Sequence, residues 1–489
     1  MIWLEFQRSG GPTLTKQLYD QLVTQILAGD LAAGTRLPSS RDLAAENDVA
    51  RNIVVHVYEQ LLAEGYVEAR VGSGTYVAKL DLSALPPRAA GKTLTRTTHA
   101  RENATRSASA KNAFIASSER ATSPDVIAFA CGVPDLAQFP RAAWLRCLHR
   151  ASFYGEMADW GYTEPEGSPA LRHEIAAHLR RARDLRCTDE QVIVTAGTAH
   201  ALHLLCAVFR ELRPGALVED PVVTFVPEIL RRTGHTATPV PVDAHGIIAD
   251  ALPGKPRAGF VFVSPSHQFP LGGTLPIQRR LALLDYARRH DLFLVEDDYD
   301  SEFRFGGAPV SSLFRLDPRR AIYVGTFSKT VAPALRLGYL VLPEELLPLA
   351  RRALEPMNPG MSRITQAALA NFMRDGHLIR HIARMKRRYE RKMHALRRAL
   401  VQTFGERVAV SGDTTGLHLV ATFPGVEFDA ALRERMRRGG VEVDTADDFA
   451  FAGARHPGAL AMGYGNLSLE QIAEGVRRLA AVLPKPQKA

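Results

Sequence analysis

A lysine that follows a buried strand is the first candidate for chemistry in this sequence. The stretch from Gly325 to Gly338 places Lys329 just after the apolar run 321–325, with Arg336 seven residues later. A lysine at a strand end can form a Schiff base with an aldehyde if its surroundings favour the neutral amine. Thr326, Ser328 and Arg336 would bind a phosphate beside it. This combination suits pyridoxal 5′-phosphate.

Three other polar elements each follow a predicted strand and would meet Lys329 at the same edge of a sheet. The first is Gly197-Thr198-Ala199, where a helix begins, and backbone N–H groups at a helix N-terminus bind a dianion. The second contains Asp297, whose carboxylate would keep a pyridine nitrogen protonated. Tyr299, two residues on, would bond the phenolic oxygen. The third contains His267, which we expect near the same edge of the ring.

The elements that must position these residues alternate between strands and helices from about residue 126 onward. Helical periodicity is present over 169–182, 199–211 and 276–290. The alternation predicts an α/β fold, with a mainly parallel sheet covered by helices. The predicted buried strands are 191–195, 216–219, 259–264, 292–296, 321–325 and 338–342.

Residues 1–80 predict a separate winged helix-turn-helix domain. A first amphipathic helix precedes a short helix that starts near Ser39 or Ser40, a tight turn, and a third helix over about 51–63. Two short strands around Gly72-Ser73-Gly74 complete the wing. Residues near the start of such helices reach base edges, so Arg41 and Arg51 are predicted to contact DNA. Asn52 would contact DNA or cap the helix.

Ser73, in the turn of the wing, is a further predicted DNA contact. The domain itself is not basic, because residues 1–80 contain seven Lys/Arg and nine Asp/Glu, whereas the whole chain has a formal net charge of +9. Since DNA affinity depends on phosphate neutralisation, this module alone is expected to bind weakly.

The rest of the chain divides into two parts. Residues 81–125 are rich in Ala, Ser, Thr and Arg and are predicted to be a flexible linker. Residues 126–489 form the predicted cofactor-binding domain, with a small α+β subdomain from about 380. The basic stretch 384–392 is interpreted as a solvated helix, with a DNA-facing role as the less favoured alternative.

Composition excludes several classes of protein. The chain of 489 residues is large enough to bury a core, and its four cysteines show neither a disulfide framework nor zinc spacing, so no metal site is predicted. No signal peptide or membrane span is apparent. These features predict a protein of the reduced cytoplasm.

The motifs also resemble known families. The stretch LPSSRDLA…ARNIVVHVYEQLLAEGYVEARVGSGTYV resembles the GntR-type DNA-binding domain, and GTAHAL, SPSHQFP, EDDYDSEF and GTFSKTVAPALRLGY resemble fold-type-I aminotransferases. Together they resemble the MocR-type regulators. The resemblance implies a homodimer, head-to-tail with swapped DNA-binding domains. It also implies a cofactor linked to Lys329, Asp297 at the pyridine nitrogen, Tyr299 at the phenolic oxygen and Arg336 at the phosphate.

The sequence departs from this family pattern around the expected effector site. Where the family commonly has Gly, a stacking aromatic and, in the γ-aminobutyrate responder, an Arg, this chain has Val222, Val223 and Phe225. Phe225 would replace the stacking residue, or Val223 would stack more weakly. Arg455 would hold an effector carboxylate only if its loop shifts. These changes disfavour γ-aminobutyrate as the effector.

Three functions follow from these features. The favoured one is a regulator that senses pyridoxal phosphate or an amino compound through aldimine formation at Lys329 and alters operator binding. The alternative is a working aminotransferase with an appended DNA-binding module, which the missing arginines disfavour because transamination needs a clamped carboxylate. The third is an inactive dimerisation platform, which the intact cofactor set disfavours.

Overall fold

The structure is a computed structural model that describes residues 4–7, 12–70, 73–82, 85, 125–161, 164–305, 310–357 and 361–484. Most of the predicted linker 81–125 lies outside these ranges. No helix of the described ranges is long and apolar enough to cross a membrane. All four cysteines are buried and free.

The helices and strands are numbered here in chain order. The helices are α1 Leu14–Ala28, α2 Ser40–Glu46, α3 Arg51–Ala63, α4 Arg141–Phe153, α5 Pro169–Arg183, α6 Thr198–Leu212, α7 Phe225–Arg232, α8 Ile277–Arg289, α9 Leu313–Leu316, α10 Leu347–Met357, α11 Arg363–Arg374, α12 His377–Phe404, α13 Ala430–Arg438 and α14 Leu469–Val482. The strands are β1 Val67–Arg70, β2 Gly74–Val77, β3 Ile127–Phe129, β4 Val192–Thr195, β5 Ala216–Asp220, β6 Ala237–Asp243, β7 Gly246–Ile247, β8 Phe260–Val263, β9 Phe293–Asp298, β10 Ala321–Thr326, β11 Gly338–Val341, β12 Ala409–Ser411, β13 His418–Thr422, β14 Val441–Thr445 and β15 Ala459–Gly463.

The N-terminal domain is the predicted winged helix. Helices α1, α2 and α3 precede the antiparallel hairpin β1–β2, and Ser39 caps α2 by accepting a hydrogen bond from the N–H of Asp42 at 3.2 Å. Ala50 occupies the N-cap position of α3 and gives no side-chain cap. The capping alternative for Asn52 is therefore wrong, and its exposed side chain lies in the first turn of α3.

The large sheet has eight strands in the order β4-β11-β10-β9-β8-β5-β6-β7. Its central strands β10, β9, β8, β5 and β6 are parallel, whereas β11 runs antiparallel to both neighbours and β7 is antiparallel to β6. The central strands β5, β8, β9 and β10 are buried on both faces, as expected for a parallel sheet covered by helices. All six predicted strands are confirmed within two residues.

The small sheet has the order β12-β13-β15-β14-β3 and packs against α12 and α14. Its edge strand β3 comes from residues 127–129, far before the predicted start of the small subdomain near 380. The chain therefore enters the large domain from the small sheet, which places the loop after β3 beside the end of β10.

The winged helix packs on the large domain of its own chain. Its apolar core is continuous with that of the large domain. The backbone carbonyl of Glu64, just after α3, accepts a hydrogen bond from the N–H of Ile277 at 2.9 Å. The Glu64 carboxylate is buried and lies 3.5 Å from Arg304. This contact uses the C-terminal end of α3 and leaves its N-terminal end exposed.

Candidate functional site

The residues predicted to bind a cofactor gather around one cavity of about 210 Å³. It lies at the carboxyl ends of β4, β9 and β10, where ligands bind in open α/β sheets. The residues that line it are Gly132, Gly197, Thr198, Ala199, Val223, Phe225, Phe269, Asp297, Tyr299, Thr326, Ser328, Lys329 and Arg336. All the predicted cofactor residues except His267 are in this lining.

Lys329 lies in the turn after β10 and is 7 % exposed. Its Nζ donates a hydrogen bond to the backbone carbonyl of Gly132 at 2.6 Å. Burial lowers the pKa of Lys329 to about 8, against the opposing effect of Asp300 and Asp297. Since the neutral amine is the nucleophile, this environment prepares Lys329 to attack an aldehyde at a pH only slightly above neutral.

Asp297 is the penultimate residue of β9 and lines the same cavity. Burial, together with the charges of the neighbouring Asp298 and Asp300, raises its pKa to about 7. Its Oδ1 is buried and has no hydrogen-bond partner among the described residues. A buried carboxylate oxygen without a partner is costly, and an N–H donor in the cavity would remove that cost.

The third side of the cavity is the N-terminus of α6. Gly197 precedes the helix with φ +97°, a backbone conformation that favours glycine. A Cβ on Gly338 would lie 2.9 Å from the Cα of Gly197, so only glycine lets β11 approach this turn. The free N–H groups of the helix N-terminus and the exposed guanidinium of Arg336 line this corner. They form an anion-binding corner.

His267 lies behind Tyr299 and outside the cavity lining. The Tyr299 hydroxyl donates to the backbone carbonyl of His267 at 2.9 Å, and Nδ1 of His267 lies 3.0 Å from Asp300. His267 thus contacts a residue of the lining rather than the cavity itself, and its position near the edge of a bound ring stays a prediction. Its ring lies 4.4 Å from the ring of His418 and is tilted by 32° to it. One potential ligand atom from each of His267, Asp300 and His418 lies within 4.8 Å of the others, all three being buried.

Two lining residues were not singled out from the sequence. Phe269, two residues after His267, projects into the cavity from the same motif. Gly132 belongs to the loop after β3, and only the folded chain brings it to Lys329. Val223 and Phe225 both line the cavity, so both stacking alternatives remain open.

Arg455 does not reach the cavity. Its side chain is 76 % exposed and lies 3.9 Å from Asp447. It lies in the loop before β15, so its role in holding an effector carboxylate would need that loop to move and stays a prediction. The described lining therefore contains one arginine, Arg336.

The predicted DNA contacts are all exposed on the winged helix. Arg41 lies in the first turn of α2, and Arg51 begins α3 with its Nε 3.4 Å from the hydroxyl of Ser40. Ser73 lies at the tip of the wing, where its hydroxyl is 2.6 Å from that of Tyr76. With Asn52, these side chains lie on the parts of the domain that the docking contact leaves uncovered.

Comparisons with known proteins match both parts of the chain. Residues 14–77 match the model for bacterial regulatory proteins of the gntR family, and residues 124–479 match aminotransferase class I and II. A probable rhizopine catabolism regulatory protein, MocR of Rhizobium meliloti, is 35 % identical over 97 % of this chain and 95 % of its own length.

Two further similarities cover the family and the fold. The pyridoxine biosynthesis transcriptional regulator PdxR of Corynebacterium glutamicum is 36 % identical over 81 % of this chain and 79 % of its own. The crystal structure of a multiple substrate aminotransferase from Thermococcus profundus covers 76 % of this chain and 95 % of its own, with a TM-score of 0.68 and 26 % identity. The chain therefore belongs to the MocR-type transcriptional regulators, with a GntR-type winged helix-turn-helix and an aminotransferase fold of fold type I.

Proposed function

We propose that this protein is a DNA-binding regulator whose operator affinity depends on pyridoxal 5′-phosphate and an amino compound in the cavity around Lys329. The observation that carries the proposal is the direct contact between the two domains. Arg304, which touches Glu64 of the winged helix, lies only five residues after Tyr299 of the cavity. A change in the cavity thus has a short path to the DNA-binding domain.

The residues present fit pyridoxal phosphate. The unpartnered Oδ1 of Asp297 would accept from the pyridine N–H, and Tyr299 would face the phenolic oxygen. Thr326, Ser328, Arg336 and the start of α6 would hold the phosphate. When bound, the cofactor supplies an aldehyde that combines with amines and a ring that withdraws electrons. Lys329 would be the amine of the protein that combines with it.

Transmission would begin at Lys329. Its amine donates a hydrogen bond to the carbonyl of Gly132, and this bond connects the large sheet to the loop that follows β3 of the small sheet. When the amine is consumed, the small sheet loses this hydrogen bond. Two arrangements of the small sheet and the winged helix with different ligand affinities would make operator binding ligand-dependent.

The cavity wall favours sensing over turnover. Val223, Phe225 and Phe269 form an apolar side, and Arg336 is the single arginine in the described lining. If Arg336 binds the phosphate, the described lining offers no second arginine to clamp a substrate carboxylate. Efficient transamination requires such a clamp to orient the reacting C–H bond. The working-aminotransferase alternative is therefore less favoured.

An exposed apolar surface supports a homodimer. Five large side chains between residues 145 and 160 are at least 60 % exposed, and surfaces of this kind commonly mark protein interfaces. They are Leu145, Phe153, Tyr154, Met157 and Trp160. A head-to-tail dimer with swapped DNA-binding domains remains a prediction, because the single chain described here docks the winged helix on itself. We expect it to act in the cytoplasm, where operator DNA is found.

A spectroscopic titration tests this proposal. Purified protein loaded with pyridoxal phosphate is mixed with a panel of amino acids and amines, with and without a keto acid as amino-group acceptor. A sensor gives a spectral change that persists, and the compound that causes it identifies the effector class. Steady formation of the new amino acid would instead identify a working aminotransferase.

A further inference from the structure

Helix α12 carries a concentration of positive charge that the site described above does not use. Its 28 residues, His377–Phe404, include nine Lys/Arg and a single acidic residue, Glu390. The formal net charge of the entire chain is +9, whereas residues 1–80 have more acidic than basic residues. The surplus of the protein is therefore concentrated on one helix of the small domain.

The arrangement of these residues is regular. One face of α12 is buried against the small sheet through side chains such as Met385, Tyr389 and Leu396. The opposite face is exposed and carries basic residues at alternating steps of four and three, which keeps them in line along a helix. We call this set the basic stripe: Arg380, Arg384, Arg387, Arg391, His394 and Arg398.

Acidic residues of the described ranges pair with the neighbours of the basic stripe rather than with the stripe itself. Asp135 pairs with Arg388 and Lys392, and Asp413 pairs with Arg397, all of which lie beside the stripe. Arg380 and Arg384 donate to the backbone carbonyls of Asp375 and Gln138. Within the described ranges, the stripe arginines make no ion pair with a carboxylate.

In other exposed helices of this chain, arginines form ion pairs with glutamates of the same helix. In α7, Glu228 pairs with Arg231 and Arg232, and in α13, Glu434 pairs with Arg437 and Arg438. The same spacing recurs in α14, where Glu474 pairs with the arginines three and four residues later. A merely solvated helix is expected to mix charges in this way. The basic stripe lacks such partners and is therefore suited to an external polyanion.

The stripe begins close to the docked winged helix. Lys386, beside Arg387 of the stripe, lies near Arg304, which in turn lies 3.5 Å from Glu64 of the winged helix. Burial lowers the pKa of Lys386, and the nearby Arg304, which touches Glu64, lowers it further. Eighteen residues of helix separate Arg380 from Arg398, a length of about 27 Å. That length matches about eight base pairs of duplex.

We propose that the basic stripe of α12 binds the backbone of DNA that flanks the operator. The proposal rests on the proposed function, since it assumes that the winged helix binds the operator itself. It explains how a winged helix with little positive charge of its own acquires affinity: phosphate contacts supply sequence-independent binding, while the winged helix reads the bases.

The test uses the full-length protein and two duplexes. The short duplex is the DNA segment that the wild-type protein protects, in a sequence selected from random DNA for binding. The long duplex has the same segment with 15 base pairs of unrelated sequence added on each side. The test variant is Arg387→Gln/Arg391→Gln/Arg398→Gln. The matched control, Arg231→Gln/Arg437→Gln/Arg477→Gln, removes the same charge from exposed arginines that have acidic partners. Thermal unfolding confirms that both variants fold.

We expect the flanks to raise the affinity of wild-type protein and control about tenfold or more, and the test variant to lose this gain while binding the short duplex normally. Three lost phosphate contacts should also reduce the slope of log K against log salt on the long duplex by about 2–3. Equal affinity of test variant and control for the long duplex would overturn the inference. Binding to vesicles that contain phosphatidylserine is measured in parallel. If the test variant loses binding to these vesicles but binds both duplexes as the control does, the partner would be a membrane and the inference would be overturned. Failure of wild-type protein to bind either duplex would instead refute the proposed function.

Discussion

The amine of Lys329 and the backbone carbonyl of Gly132 are joined by a hydrogen bond of 2.6 Å. Lys329 follows the central strand β10 of the large sheet, whereas Gly132 follows β3 of the small sheet. The side chain expected to carry the cofactor therefore also fastens the two halves of the aminotransferase fold to each other. Chemistry at this nitrogen and the relative position of the two sheets are thus linked.

Substitution of this lysine should remove the covalent cofactor. We expect Lys329→Ala, incubated with pyridoxal phosphate and then desalted, to lack the visible absorption of lysine-linked cofactor. Lys255→Ala, which changes an exposed lysine of the same domain, should keep it. Retained absorption in Lys329→Ala would show that another amine carries the cofactor.

The reactivity of Lys329 should depend on pH in a way that differs from an ordinary lysine. Because burial lowers its pKa to about 8, the neutral fraction should rise about tenfold per pH unit below 8 and level off above it. The measurement is the initial rate of cofactor attachment to cofactor-free protein, trapped by borohydride, between pH 6 and 10. A rate still rising steeply at pH 10 would show an unperturbed amine.

Much of this site was predictable because it lies at strand ends. Asp297, Thr326 and Lys329 follow continuous buried strands whose carboxyl ends meet at one edge, so their convergence follows from the parallel sheet. Gly132 was not predictable, since nothing local in the sequence joins β3 to the small sheet. Phe269 carried a signal, as it shares a motif with His267. The chain turns there through hydrogen bonds between Gln268 and Gly272–Gly273, which breaks the alternation expected of a strand.

The docking of the winged helix on the large domain also could not be predicted from the sequence. Local periodicity places α3 correctly over Arg51–Ala63. The contact of Glu64 with Arg304, however, joins residues 240 positions apart and depends on the packing of two complete domains. Sequence patterns of helical or strand period carry no information about such pairs.

The ionised Asp297 should lower the free energy of unfolding of the cofactor-free protein. Its pKa is raised to about 7 by burial, so the folded state holds a proton that the unfolded state releases above about pH 4. The contribution of Asp297 to the free energy of unfolding therefore falls as pH rises from about 4 to 7. We expect cofactor-free Asp297→Asn to melt above the wild type at pH 8, with a difference that shrinks toward pH 4.

The same variant should bind pyridoxal phosphate more weakly, because the amide does not hold the pyridine nitrogen protonated. Thermal melts with and without cofactor measure both effects. A lower melting temperature for cofactor-free Asp297→Asn at pH 8, or unchanged cofactor affinity, would contradict the assigned position of Asp297.

The Glu64–Arg304 contact should stabilise the docked winged helix. Glu64→Gln keeps the size of the side chain but removes the charge opposite Arg304. We expect it to destabilise the docked arrangement by about 1–3 kcal/mol, since a buried hydrogen-bonded group then lacks its proper partner. Hydrogen exchange of α3 and the start of α8 should be faster than in the control Glu59→Gln, an exposed change on α3. Equal exchange in the two variants would show that this contact does not hold the domain.

Arg51 should contribute directly to DNA binding. It begins α3 and is exposed, so Arg51→Ala should weaken operator binding by about 1–3 kcal/mol without altering cofactor loading. Arg210→Ala, an exposed change on α6, serves as the control. Unaltered gel shifts for Arg51→Ala would exclude this residue from the interface.

The central claim is that occupancy of the Lys329 cavity sets the affinity for DNA. Fluorescence anisotropy of the selected operator duplex tests it most directly, with the same protein cofactor-free, loaded with pyridoxal phosphate, and loaded in the presence of the responding amino compound. We expect the dissociation constant to differ by about fivefold or more between at least two of these states. Identical dissociation constants in all three, with the visible spectrum confirming that the cofactor is bound, would contradict the account.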